Sequence, residues 1–258
     1  VMGDSHAALY GAGCGREGMA KATYGTGSSV MLFTGRQPVV SRHGLAATVA
    51  WGRNGQTYYG LEGNINYAGA VIEWLIHRAG LLTSADEAEA LALQAAPADR
   101  TVFVPAFTGL GAPHWAPEMR AAIVGMGSTT GRAEIVRAAV DSIAYQVTDL
   151  MLAMRQDAGC DITCLRADGG ASVSDILLQM QADLLRIPVD RPAMVETTAF
   201  GAAALAGLNC GVWSSLDELA ALRRSDRVFT PQRVQAECDD AYRMWKRAVQ
   251  RSADWIEH

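Results

Sequence analysis

The sequence predicts a mixed α/β fold in which an antiparallel part joins parallel crossovers. Three observations predict it. Residues 18–62 hold four short strand-like runs separated by Gly- and Asn-containing turns. From Arg132 to Arg155, residues Ile135, Val136, Ala139, Val140, Ile143, Val147, Leu150, Met151 and Met154 form one apolar stripe at helical spacing. A short apolar run from Cys164 ends in Asp168-Gly169-Gly170, and Ile176, Leu177, Met180, Leu184 and Leu185 then recur at helical spacing.

Taken in order, Met19 to Tyr24 and Ser29 to Thr34 are strands around Gly25-Thr26-Gly27. Ala46 to Trp51 and Thr57 to Leu61 are two more, with Asn54-Gly55 as their hairpin turn. The four together read as a β-meander. Ala68 to His77 is helical, with Val71, Trp74 and Leu75 on one face. Ser84 to Ala95 is a second helix, and Ser84 with Glu87 has capping-box spacing. Thr101 to Phe107 is a buried strand, Thr108 to Met119 a Gly/Pro-rich loop, and Ala122 to Gly125 a short strand. After the long helix and the Gly-Gly turn, where Ser172 and Ser174 are candidate N-caps, a strand falls near Val189. Helices follow at Ala199 to Asn209, from Ser215, and from Arg233 to Trp255. The small residues of the Ala199 helix predict tight packing on the sheet. No repeat or linker divides the chain, so one compact domain is expected.

Composition narrows the function. Of 258 residues half are apolar and 19% charged, as in a folded globular domain. The net charge of −5 and the lack of any Lys/Arg run argue against nucleic acid as a partner. No apolar run reaches the roughly 20 residues that span a bilayer. Five scattered cysteines without C-x-x-C spacing predict reduced thiols and a cytoplasmic location, and no His stands at ligand spacing to them.

Some local patterns can carry chemistry. A strand turning through Gly169-Gly170 into a helix N-terminus offers close backbone approach and free N–H groups to a phosphate, or is a plain connection. Thr26, between two glycines, can present its hydroxyl to a phosphate or sit in an ordinary hairpin. Asp4, ahead of a helix-like stretch, is an N-cap or a general base. His6 and His114 stand near no nucleophile motif and read as surface or packing residues.

The segments GDSHAALYG, MAKATYGTGSSVMLFTG, VFVPAFTGLGAPHW, AAIVGMGSTTGRAEIVRAAVDSIAYQ, LRADGGASVSDILLQMQADLLRIPV and ETTAFGAAALAGL occur in that order. Together they resemble the C-terminal half of FGGY-family carbohydrate kinases, nearest to the branch that phosphorylates glycerol. The resemblance covers essentially the whole chain. It implies an actin/hexokinase-type ATPase domain with a ribonuclease-H-like core, residues 1–258 being the second domain of two and the N-terminal domain absent. It implies ATP with Mg²⁺ as cofactors and phosphoryl transfer to a polyol or sugar. It leaves a homo-oligomer open.

Carried over motif by motif, Asp4 falls on the family's catalytic base. Gly25, Thr26 and Gly27 match its second phosphate hairpin. Gly69 and Glu73 match positions lining the nucleotide pocket, with Glu73 where Gln is frequent. Gly169, Gly170 and Ala171 match the adenosine motif, and Ser174 stands where Asn is usual. On the acceptor side Ser5 replaces a Gln and Ser29 replaces a Phe. Both changes shrink a side chain, and the second trades an apolar wall for a hydroxyl. An acceptor larger or more hydroxylated than glycerol, such as erythritol, a pentitol or a pentulose, therefore comes into view. An actin- or Hsp70-like nucleotide switch is the alternative from another class, since fold alone does not separate them. A dinucleotide-binding oxidoreductase is disfavoured by the lack of G-x-G-x-x-G after a first strand.

Overall fold

The computed structural model describes residues 2–194, 196–253 and 255–256. Its centre is a seven-stranded mixed sheet in the order β3-β4-β2-β1-β7-β8-β9. β1 (Met19–Tyr24) pairs antiparallel with β2 (Ser28–Gly35) and parallel with β7 (Cys164–Asp168). β7 pairs parallel with β8 (Val189–Pro192). A small separate sheet joins β5 (Val102–Val104) to β6 (Ala122–Val124).

The expected meander is corrected. β4 (Gln56–Ile65), not β3 (Ala46–Arg53), pairs with β2, so the second hairpin docks by its later strand. Burial explains the choice. β4 buries Gly60, Leu61, Gly63 and Ile65, while β3 leaves Ala46, Ala47 and Val49 unburied and suits an edge. The Asn54-Gly55 turn forms as expected, with positive φ at both residues (52° and 72°).

Period-two alternation gives the sheet two buried faces. Ala20, Ala22, Tyr24, Val30, Leu32, Leu165 and Ala167 share one core with the long helix α4 (Arg132–Ala158), α5 (Asp175–Leu185) and α8 (Gln235–Arg251). On the other face Met31 and Phe33 pack with Leu9 and Tyr10 of α1 (Asp4–Gly11) and Ala204 and Leu208 of α6 (Thr197–Asn209). A third cluster holds α2 (Gly69–His77) and α3 (Ala85–Ala92) against the start of α4 through Val71, Leu75, Ala88, Phe103 and Val136.

The small residues of α6 serve a neighbouring helix as well as the sheet. A Cβ on Gly201 would lie 1.8 Å from the Ala7 carbonyl oxygen, and one on Gly11 would lie 2.1 Å from that of Thr197. The main chains of α1 and α6 thus touch. Elsewhere Asp149, buried in α4, accepts from the Trp245 indole (2.8 Å) and bonds His114 (2.9 Å) and the Tyr242 hydroxyl. One carboxylate therefore ties the 108–119 loop and α8 to the central helix. α7 (Leu216–Leu222) follows α6, and β9 (Ser225–Phe229) closes the far edge antiparallel to β8. The last helix ends at Arg251, short of the expected Trp255.

Candidate active site

A cleft of about 650 Å³ opens where β1 and β7 end. Its lining comes from the β1–β2 hairpin (Tyr24, Gly25, Thr26), α2 (Gly69, Ile72, Glu73), α3, α4 (Val140, Ile143) and the segment Gly170–Leu177. Ligands of open α/β sheets lie outside such carboxyl strand ends. Seven of the expected residues meet here: Gly25, Thr26, Gly69, Glu73, Gly170, Ala171 and Ser174.

The hairpin and α2 build one corner together. The N–H groups of Ala68 and Ala70 donate to the Thr26 carbonyl (3.0 Å each), and that of Gly69 donates to Gly25 (2.9 Å). A Cβ on Gly69 would approach the Gly25 oxygen to 2.8 Å, so glycine permits this docking. Thr26 is left exposed at the tip. Gly27 does not line the cleft; its own Cβ would meet the Ile65 oxygen at 2.4 Å, and its place is in the hairpin's packing.

The Gly-Gly turn divides its labour in the same way. Gly169 has φ +86° and would press a Cβ into the Tyr24 backbone at 2.7 to 2.9 Å. Gly170 would meet nothing within 4 Å, so its Cα faces open space in the cleft. A 3-10 turn, Gly170–Val173, separates it from α5. Ser174 is the N-cap, accepting from Leu177 N–H (3.3 Å), while the Ser172 hydroxyl bonds back to Gly169. The N–H of Ile176 goes to Glu89, and Asp175 stands in the first turn. Two N–H groups of this helix N-terminus thus already have protein partners, and its first turn carries an acidic residue. Burial pushes the Tyr24 phenol well above its usual range, and its hydroxyl donates to Gln181 at 3.0 Å.

Asp4, Ser5 and Ser29 lie apart from the cleft lining but are linked to it by the same hairpin. Ser29 is the second residue of the outgoing strand, three residues after Thr26, and its hydroxyl sits 3.2 Å from Ser5 Oγ and donates to Glu62 Oε1 at 3.1 Å. Asp4 opens α1, exposed, its Oδ1 accepting from Ser5 N–H at 2.7 Å. Gly3 is the N-cap and no side chain caps the helix, so the capping role for Asp4 is set aside. Glu73 is exposed and pairs with His77 at 3.1 Å.

Sequence reasoning missed Glu62, Asp86 and Glu89 around the site and the apolar wall of Ile72, Val140, Ile143 and Leu177. The wall residues are visible as helical stripes, but nothing in a stripe tells which part of it faces a cleft. Glu62 sits in a strand pattern, and only the cross-strand geometry brings it to Ser29.

A mixed sheet with helices on both faces and a glycine-lined cleft at its strand ends is the actin/hexokinase-like architecture. The chain belongs to the FGGY family of carbohydrate kinases: residues 20–210 match the family's C-terminal domain. It is 48% identical over 255 residues to a glycerol kinase of Solidesulfovibrio magneticus, covering 99% of this chain and 51% of that protein. It is 47% identical over 257 residues to a glycerol kinase of Oleidesulfovibrio alaskensis, covering 100% and 52%. The chain spans about half the length of the curated relatives it matches. Among solved structures, Plasmodium falciparum glycerol kinase with ADP superposes with a TM-score of 0.92 at 35% identity, covering 99% of this chain and 51% of that one. A ligand-bound xylulose kinase from Lactobacillus acidophilus shares the fold at a TM-score of 0.85 and 20% identity, covering 95% and 50%.

Proposed function

We propose that this chain is the C-terminal, nucleotide-binding half of a two-domain kinase that moves the γ-phosphoryl group of ATP to a hydroxyl of glycerol or a slightly larger polyol. One observation carries the reading. A single hairpin, residues 24–29, has its tip in the cleft and its outgoing strand against the helix that begins with Asp4. Nucleoside, phosphates and acceptor can therefore follow one another along it.

The residues suit these parts. Ile72, Val140, Ile143 and Leu177 offer an apolar wall to a base, and Gly170 gives it space. Carboxylates of Glu73, Asp86 and Glu89 suit ribose hydroxyls better than phosphates. Thr26 suits the β- and γ-phosphates. Asp4 would accept the proton of the attacking hydroxyl, while Ser5 and Ser29 face the acceptor. Among the described residues no group of three or more His, Cys, Asp or Glu could hold a metal by itself. Mg²⁺ commonly takes one or two carboxylates plus substrate phosphates, so it would arrive with the nucleotide. When bound it neutralises charge on the transferring phosphoryl group.

The test is the full-length protein with ATP and a panel of glycerol, erythritol, pentitols and pentuloses. Acceptor-dependent ADP formation with a phosphorylated product supports the reading. ATP hydrolysis indifferent to every acceptor would replace it with a nucleotide switch.

A further inference from the structure

Lys21 is an outlier in this chain. Lys and Arg together number 22, and all but Lys21 and Lys246 are Arg. Lys21 is 1% exposed, in the middle of β1, on the sheet face opposite the main core. Its Nζ donates to Thr23 Oγ1 at 2.6 Å, two residues along the same strand face. Among the described residues no carboxylate comes within ion-pair distance of it. A buried ammonium without a direct counter-charge is costly, so its surroundings must compensate.

In register with Lys21 stand Met31 on β2 and Arg166 on β7, the latter's guanidinium paired with Asp190, and carboxylates lie beyond them. Asp168, paired in register with Thr23 across β1 and β7, is 3% exposed. One of its oxygens accepts from Thr197, and the other is buried without a hydrogen-bond partner. Glu62, beyond β2, holds Ser29. Burial pulls the Lys21 ammonium below the ordinary lysine range, while Asp168, Glu62, Cys14 and Asp4 act to hold it up. Cys14 is itself fully buried, its thiol pushed up to about 12, and stays neutral. Of the groups that hold the Lys21 charge up, the carboxylates of Asp168, Glu62 and Asp4 are therefore the charged ones.

Each of these is one step from a part of the site. Asp168 immediately precedes Gly169-Gly170, Thr23 precedes the Thr26 hairpin, and Glu62 holds the Ser29 wall beside Ser5. We propose that Lys21 is a positioning residue: its ammonium, anchored on Thr23, holds the adenosine turn, the phosphate hairpin and the acceptor wall in mutual register for phosphoryl transfer. The assignment rests on the kinase reading given above.

Lys21→Met in the full-length protein tests it, with Thr23→Val as the second variant. Removing the ammonium leaves the buried Asp168 carboxylate without its nearby positive charge, so the melting temperature of Lys21→Met is expected to fall. The kcat is expected to fall roughly 10²-fold, as for a small misplacement of reacting groups, with the KM for ATP little changed. Thr23→Val, which removes the anchor, is expected to lower kcat in the same direction. A folded Lys21→Met with parental kcat overturns the proposal. If Lys21→Met does not fold, Thr23→Val decides by the same measure, and failure of both to fold makes the lysine structural and overturns it too. A parent that phosphorylates no acceptor is a different result: it removes the kinase reading, and the assignment falls with it.

Discussion

Asp4→Asn in the full-length protein separates chemistry from architecture. The substitution keeps an oxygen that can accept from Ser5 N–H, the one hydrogen bond the carboxylate makes among the described residues. Asp4 is exposed, and Gly3 holds the N-cap position. The structural loss is then the charge at a helix N-terminus, about 0.3–1 kcal/mol. That is a melting-temperature change of at most about 4 °C. The chemical loss is far larger if Asp4 takes the acceptor's proton. Losing a general base costs roughly 10²- to 10⁴-fold in rate. At about 1.36 kcal/mol per decade this is about 2.7–5.4 kcal/mol of barrier. The two effects differ several-fold, so kcat by a coupled ADP assay beside thermal melting distinguishes them. Asp4→Ala is expected to match Asn in rate, with a stability change of similar size. An Asn variant turning over at the parental rate would refute the reasoning and leave the chain without an assigned base.

Other outcomes follow from the same geometry. Gly170→Val is expected to weaken ATP-analogue binding without lowering the melting temperature, because the added carbons enter open cleft; unchanged affinity by calorimetry would misplace the adenosine site. Gly169→Val should instead unfold or destabilise the domain, since its Cβ meets the Tyr24 backbone; circular dichroism melts distinguish the two glycines. Ser29→Phe breaks the bonds to Glu62 and Ser5 and restores an apolar wall, so the ratio of kcat/KM for glycerol over a larger polyol should rise by the equivalent of roughly 1–3 kcal/mol. An unchanged ratio would remove Ser29 from the acceptor pocket. The 258-residue chain alone should show no glycerol-dependent turnover above a mock preparation, because half the cleft would be missing.

The order of elements was largely legible because most carry strong periodic signals. The long α4 stripe, the Asn54-Gly55 turn and the β1–β2 hairpin all form near their expected bounds. β9 was not legible: four of its five residues are exposed, and only Phe229 is buried. Its charges are held laterally instead, Arg191 to Asp226 and Arg227 to Asp175, which no alternation reveals. The capping box slipped by one position. Glu87 accepts from the N–H and hydroxyl of Thr83 (2.7 Å each) and pairs with Arg132, so Ser84 makes no cap bond. Adjacent Thr and Ser offer the same hydroxyl, and only the path of the chain chooses between them. The cleft glycines were legible as motifs. Which of them face ligand space and which only admit a neighbouring backbone depended on distances between distant segments.

The contact between α1 and α6 has a mechanical consequence. An eight-residue helix is too short to hold its shape unaided, so α1 takes its placement from what it leans on. It leans on α6 through main chain at Gly11 and Gly201. Side-chain contacts can yield by changing rotamer, but this joint has no such slack. One methyl at Gly201 must therefore be answered by translation of a whole helix, and Asp4 stands at its first position. Turnover would then be sensitive to a residue that touches neither nucleotide nor acceptor. Asp4 would behave as the tip of a lever whose pivot lies at the crossing of two glycines.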